Sequence, residues 1–206
     1  MTTTLLLFLG ASAALTIAPG PDNLFIITQG VSRGRRAAVV TAWGMCAGNS
    51  VHTLAAAAGI SALFYSSAAA FHAVKYLGAA YLIWLALKAV RERGPVKAGP
   101  TAIGPTDAAL FRRGFIMNVL NPKVALFFLA FLPQFTSREA GNVGLQMLGL
   151  GLLFMAQATV IFTIIGFFSG TVGNRLLGRP RVARGFAWLS AAIFAALGVN
   201  LALAER

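Results

Sequence analysis

The sequence predicts an all-α membrane protein of six transmembrane helices in two three-helix halves, with helices 1 and 4 broken at prolines. Three observations carry that prediction. The 206 residues are 58% hydrophobic and 11% charged, with a mean hydropathy of +0.77, far more apolar than an average soluble domain. Uncharged apolar runs recur along nearly the whole chain, each near the roughly 20 residues that a helix needs to cross a bilayer core. Prolines interrupt the first and fourth runs beside a charged residue, and an internal proline kinks or breaks a helix.

The first run covers residues 4–29. Residues 5–17 with Ala11-Ser12-Ala13 have the look of a cleavable signal, but no basic residue precedes them and the apolar run continues to Gln29, so a retained helix is expected. The second and third runs, 37–64 and 71–91, are hard to separate because residues 37–74 carry no formal charge. As one helix they would measure about 57 Å, roughly twice the hydrocarbon thickness. The chain must turn, and Tyr65-Ser66-Ser67 is the expected place. Lys75 and Lys88 then sit near opposite ends of the third helix, where both can snorkel. The fourth, fifth and sixth runs are 113–134, 143–173 and 185–204.

Residues 94–110, with Pro95, Gly99, Pro100, Gly104 and Pro105, read as a cytoplasmic linker between halves 1–93 and 111–206 of a single transmembrane domain. Three helices is an odd number, so halves related in fold would be inserted with opposite topology, as an inverted repeat. The trace of such a repeat is the alignment of Pro21-Asp22 with Pro122-Lys123.

The formal charge of +12 lies in clusters between apolar runs, which is a topology signal and not the basic face of a nucleic-acid binder. Arg33, Arg35, Arg36, Lys88, Arg91, Arg93, Lys97, Arg112, Arg113, Arg175, Arg179, Arg181 and Arg184 flank one set of loops; Lys75, Arg138 and Arg206 flank the other. By the positive-inside rule the first set is cytoplasmic and both termini are periplasmic. Cys46 is the single cysteine, and His52 and His72 fall in separate spans, so neither a disulfide, a clustered metal site nor redox chemistry is expected. No cofactor is implied.

Two constellations can carry chemistry. Pro19-Gly20-Pro21-Asp22-Asn23 interrupts the first run, freeing backbone carbonyls that lipid cannot satisfy, so the stretch must face protein or a cavity. Asp22 is about 16 Å of helical rise from Arg33, near the midplane. A purely structural account has Asp22, with Asn23 as second choice, capping the restarted helix. In the fourth run Asn118-Val119-Leu120-Asn121-Pro122-Lys123 repeats the pattern, with two asparagines three apart on one face and Lys123 about 15 Å of rise from Arg113. Asp22 and Lys123 are opposite charges placed deep in the core, where an ionisable residue marks a pathway or a pair. Pairing lowers the burial cost of both, and interrupted segments in both halves point to a transporter's central site.

Other polar residues are less specific. His52, Asn49 and Gln157 are read as cavity-lining candidates, while Thr163 and Asn200 either line a cavity or bond across helices. Gly44-x-x-x-Gly48 and Gly166-x-x-x-Gly170 are small-residue faces suited to close helix packing or to a homo-oligomer. Trp84 and Trp188 are expected as interfacial anchors, with Trp43 undecided.

Pro19-Gly20-Pro21-Asp22, the following Gly30-x-x-x-Gly34, and Asn118-x-x-Asn121-Pro122-Lys123 opening Val124-Ala125-Leu126-Phe127-Phe128 together resemble the LysE/RhtB amino-acid exporter family. Length, six apolar segments and motif order are similar over essentially the whole chain. The resemblance implies a carrier in the bacterial inner membrane that exports lysine, arginine, homoserine, threonine, leucine or related solutes using the proton motive force. For such a carrier the two broken segments, Pro19, Gly20, Pro21, Asp22, Asn23, Asn118, Asn121, Pro122 and Lys123, are read as the substrate and translocation residues. The competing functions are a channel, which needs a continuous polar lining, and an intramembrane enzyme, which needs a nucleophile with its base or a His/Glu cluster. Neither pattern is present in the sequence, so no catalytic residue is assigned.

Overall fold

The computed structural model describes residues 2–60, 68–91, 106–176 and 180–203. Helix α1 (Thr2–Ile17) stops before Pro19, and α2 (Pro21–Arg33) restarts with Pro21 as its first residue, the helical position where a missing N–H costs nothing. Their axes differ by 52°. Gly34 turns the chain at φ 85°, its N–H donating to the Gly30 carbonyl, a left-handed conformation natural to glycine. Helix α3 (Arg35–Ala55) widens into a π turn at Ala56–Ile60, and α4 spans Ala68–Arg91.

Helix α5 (Asp107–Val119) is capped by Thr106, whose hydroxyl accepts the Ala109 N–H at 3.3 Å. A break precedes α6 (Pro122–Leu126), which opens into a π turn at Phe127–Phe131 and tightens to a 3₁₀ turn at Leu132–Phe135. This second bend is 47°. Helices α7 (Val143–Leu176) and α8 (Pro180–Leu203) complete the fold.

These helical units follow the predicted runs in order, and both proline breaks occur where expected. The fourth unit begins earlier than predicted, because Thr106 caps it; residues 107–110, read as linker, are already helical. The rest of that linker and the predicted turn at Tyr65-Ser66-Ser67 lie outside the described residues. Among the described residues, Val143–Gly170 is long and apolar enough to cross a membrane alone, and each bent pair qualifies as one broken span. Part of the reason α3 falls short is that it carries Thr41, Asn49 and Thr53 on its buried side. The same pattern recurs among the described residues. Asp22, Asn23, Asn49, Asn118 and Lys123 are buried while Leu6, Leu77 and Leu203 are 64%, 68% and 74% exposed, the reverse of a water-soluble domain and the arrangement a lipid solvent selects.

Helix α3 packs on α5 and on α7, α1 and α2 pack on α7, and α4 packs on α8. Helix α2 also packs on α3. Glycines make the seams close. A Cβ on Gly44 would sit 2.1 Å from the Phe111 carbonyl oxygen, and one on Gly114 2.2 Å from that of Thr41. A Cβ on Gly166 would meet the Ala38 backbone and one on Gly170 the Gly30 carbonyl, each at 3.2 Å. Both small-residue faces therefore serve close helix packing within the protomer, the first of the two roles the sequence offered for them.

Candidate functional site

The breaks create the site by leaving backbone groups without helical partners. Pro19 and Pro21 cannot donate, so the last carbonyls of α1 need other donors. The Asn23 side-chain amide supplies them, donating toward the carbonyls of Thr16 (3.0 Å), Ile17 (3.3 Å) and Ala18 (2.9 Å). Asn23 thus closes the end of α1, a role different from the second-choice cap of α2 that the purely structural account offered it. Asp22, in the first turn of α2, accepts the Asn23 N–H at 3.0 Å, where the positive helix end favours a carboxylate.

The second break is built differently. Asn121 caps α6, its side-chain oxygen accepting the Lys123 N–H at 3.1 Å. Pro122 cannot donate to the Asn118 carbonyl four residues back, so that oxygen takes the Asn121 N–H at 2.9 Å and a contact from His52 Nε2 on α3 at 3.2 Å. A carbonyl only accepts, which assigns the donated proton to Nε2. His52 also lies against the Phe128 ring, centroids 5.7 Å apart.

Lys123 crosses from the second break to the first. Its ammonium stands 2.7 Å from Asp22 Oδ2 and 3.0 Å from Oδ1, and donates to the Ala18 carbonyl at 3.1 Å, which occupies its donors. Both side chains are 2% exposed. Phe194 of α8 offers a ring face 5.8 Å from the ammonium, within cation–π range. Gly20 is what lets the headgroup in, because a Cβ there would lie 2.8 Å from Asp22 Oδ1 and 3.1 Å from Lys123 Nζ. Asp22 and Lys123 hold the same register, each following the proline that starts its restarted half-helix.

Beside the pair is a cavity of about 10 Å³ lined by Leu15, Thr16, Asp22, Asn49, Asn118, Lys123, Val124, Phe154 and Phe162, room for roughly one water. Asn49 and Asn118 are each 1% exposed, and among the described residues no group hydrogen-bonds either side-chain amide at oxygen or nitrogen. Asn118 lies over Gly48, where a Cβ would meet its Cβ and Oδ1 at 2.9 Å.

The structure thus brings Asp22, Lys123, Asn118 and Asn49 together at one cavity, with the 19–23 segment and Asn121-Pro122 as its frame and His52 behind Asn118. Gln157 is elsewhere: it accepts the Ser12 hydroxyl and donates to the Leu9 carbonyl at 3.0 Å, bracing α7 against α1. Thr163 accepts the indole N–H of Trp43 at 3.1 Å, and Trp43, Trp84 and Trp188 are all about half exposed, facing out of the bundle. Sequence reasoning missed Leu15, Thr16, Val124, Phe154 and Phe162. Among the described residues there is no cluster of three metal-binding side chains.

A model of the LysE type translocators matches residues 13–205. The chain belongs to that family. As a LysE type translocator it is a membrane transporter and not an enzyme, and the paired breaks are its central feature. It is 32% identical over 204 residues to an "Uncharacterized membrane protein" of Vibrio cholerae, covering 97% of both chains. It is 28% identical over 199 residues to the homoserine/homoserine lactone efflux protein of Salmonella typhimurium, covering 97% of this chain and 96% of that one. With the leucine efflux protein of an Enterobacter species the identity is 30% over 169 residues, 79% of this translocator and 77% of the relative. No solved structure matches.

Proposed function

We propose that this translocator exports amino acids from the cytoplasm across the bacterial inner membrane, as an alternating-access carrier with Asp22 and Lys123 at its substrate site. The observation that carries the reading is the bidentate Asp22–Lys123 pair, 2% exposed on both sides, at the meeting point of two broken helices. An amino-acid zwitterion presents an ammonium and a carboxylate of matching sign, so it replaces each partner with one of its own ends. Backbone groups at residues 19–23 and 121–123 add hydrogen bonds, as half-helix termini do in carriers built from repeats. The relatives named for homoserine and leucine efflux support the solute class and the outward direction.

The aromatic rings supply a barrier. Phe8, Phe127, Phe128, Phe131, Phe135 and Phe154 form a continuous cluster with ring centroids 5.1–6.3 Å apart. It draws on the first half of α1, the segment 127–135 that follows α6, and Phe154 of α7, which in the proposed topology puts it on the periplasmic side of the pair. A channel needs a continuous wet path; a one-water cavity under an aromatic cluster fits a carrier in an occluded state. Six spans, halves 1–93 and 111–206 related as an inverted repeat, and coupling to the proton motive force complete the reading.

Cells loaded with a dipeptide are expected to release the liberated amino acid several-fold faster when the protein is expressed, and to lose that advantage with an uncoupler. Faster uptake with unchanged release would refute export. Topology is checked separately: with Cys46 replaced, cysteines at Thr3 and Glu205 should react with an impermeant reagent outside the cell and one at Gly99 should not, and labelling at Gly99 alone would invert the arrangement.

A further inference from the structure

The polar groups that line the cavity are more than a zwitterion needs. The α-ammonium and α-carboxylate are matched by Asp22 and Lys123, yet the amides of Asn49 and Asn118 also line the cavity, 1% exposed and unbonded among the described residues. A buried amide without a partner is costly. Two of them, one from each half of the protein, converging on one cavity indicate a group that both donates and accepts in the substrate-bound state. The remaining lining, Leu15, Val124, Phe154 and Phe162, is apolar and bounds the space around that group.

We infer that Asn49 and Asn118 form a side-chain subsite that selects small neutral amino acids bearing a hydroxyl, or a comparable donor–acceptor group, close to the α-carbon. This rests on the reading of Asp22 and Lys123 as the zwitterion site. Dibasic amino acids are excluded by charge: the charged residues lining the cavity are Asp22 and Lys123, both used by the backbone of the solute, and a third charge would be buried without a partner. Aliphatic amino acids fit by shape but leave both amides unsatisfied, and a site built to hydrogen-bond a hydroxyl discriminates against the analogue that lacks it.

Threonine and valine test this directly, since they share a shape and differ in the hydroxyl. The purified full-length protein in proteoliposomes should exchange radiolabelled threonine in counterflow at least about tenfold faster than valine, one well-placed hydrogen bond in rate, and should not exchange lysine. Asn49→Leu and Asn118→Leu keep the branched shape of the side chain, at the cost of a somewhat larger volume, and remove the unbonded amides, so each should hold or raise the melting temperature while collapsing the threonine-to-valine ratio toward one. Equal exchange of threonine and valine by the unmodified protein, brisk lysine exchange, an unchanged ratio in the leucine variants, or a fall in their melting temperature would each overturn the subsite and leave amino-acid transport standing. Exchange of none of the three amino acids would sink the zwitterion site and the subsite with it.

Discussion

Asp22→Asn, Lys123→Gln and the double variant are all expected to lose export, by a hundredfold or more in release from dipeptide-loaded cells, while differing from one another in stability. Removing one member of a buried pair strands the other charge, at a cost of about 3–5 kcal/mol, and both side chains here are 2% exposed. The two single variants should not suffer equally. Without Lys123, the Asp22 carboxylate still accepts the Asn23 N–H and sits at the positive end of α2, which favours an anion. Without Asp22, the Lys123 ammonium keeps the Ala18 carbonyl but lies in the first turn of α6, where the helix end repels a cation.

The expected order of melting temperature in detergent is therefore the unmodified protein, then the double variant and Lys123→Gln, with Asp22→Asn lowest. The double variant should recover stability relative to Asp22→Asn because no unpaired charge remains, and recover no transport because nothing restores the contacts to a solute. Near-normal efflux from either single variant would remove that residue from the site. Efflux restored in the double variant would mean that the pair is a structural strut alone.

The pair was legible in the sequence because an ionisable residue in an apolar run violates the cost of burying charge in a membrane, and a proline beside it says that the backbone is open there too. The all-helical membrane fold was legible from the same runs and from the charge clusters that punctuate them. What stayed hidden depends on helix phase. Asn49 and Gln157 are equivalent as sequence signals, yet one lines the cavity and the other braces α7 against α1. Leu15, Val124, Phe154 and Phe162 line the cavity too, but an apolar residue on a helix that is apolar all round carries no mark of which neighbour it meets. The part Asn23 plays in closing α1 was hidden for a related reason. Capping statistics favour the start of the following helix, and only the fold back of the broken segment brings its amide onto three carbonyls of the preceding one.

Substituting the glycines of the α3–α5 seam should separate glycines that hold the bundle together from glycines that do not. Gly44→Ala places a methyl 2.1 Å from the Phe111 carbonyl oxygen and within 2.9 Å of the Phe111 Cα. Those atoms are backbone, so no rotamer relieves the overlap and the two helices must move apart. The cost of forcing even one methyl into a packed interface is about 1–3 kcal/mol, and Gly44→Ala belongs at the upper end because Gly114→Ala meets the Thr41 carbonyl at 2.2 Å across the same seam. Gly10→Ala and Gly149→Ala meet nothing within 4 Å, and replacing an unhindered helical glycine by alanine gains about 0.5–1 kcal/mol. The sign of the effect should thus reverse within one type of substitution: lower melting temperature and yield for Gly44→Ala and Gly114→Ala, unchanged or higher for Gly10→Ala and Gly149→Ala. The seam also sets the position of Asn49 and His52 on α3 against Asn118 on α5, so whatever Gly44→Ala protein reaches the membrane should export poorly even per folded molecule. Full efflux at normal stability from Gly44→Ala would mean that α3 and α5 do not approach this closely, and that the cavity between them has a different shape.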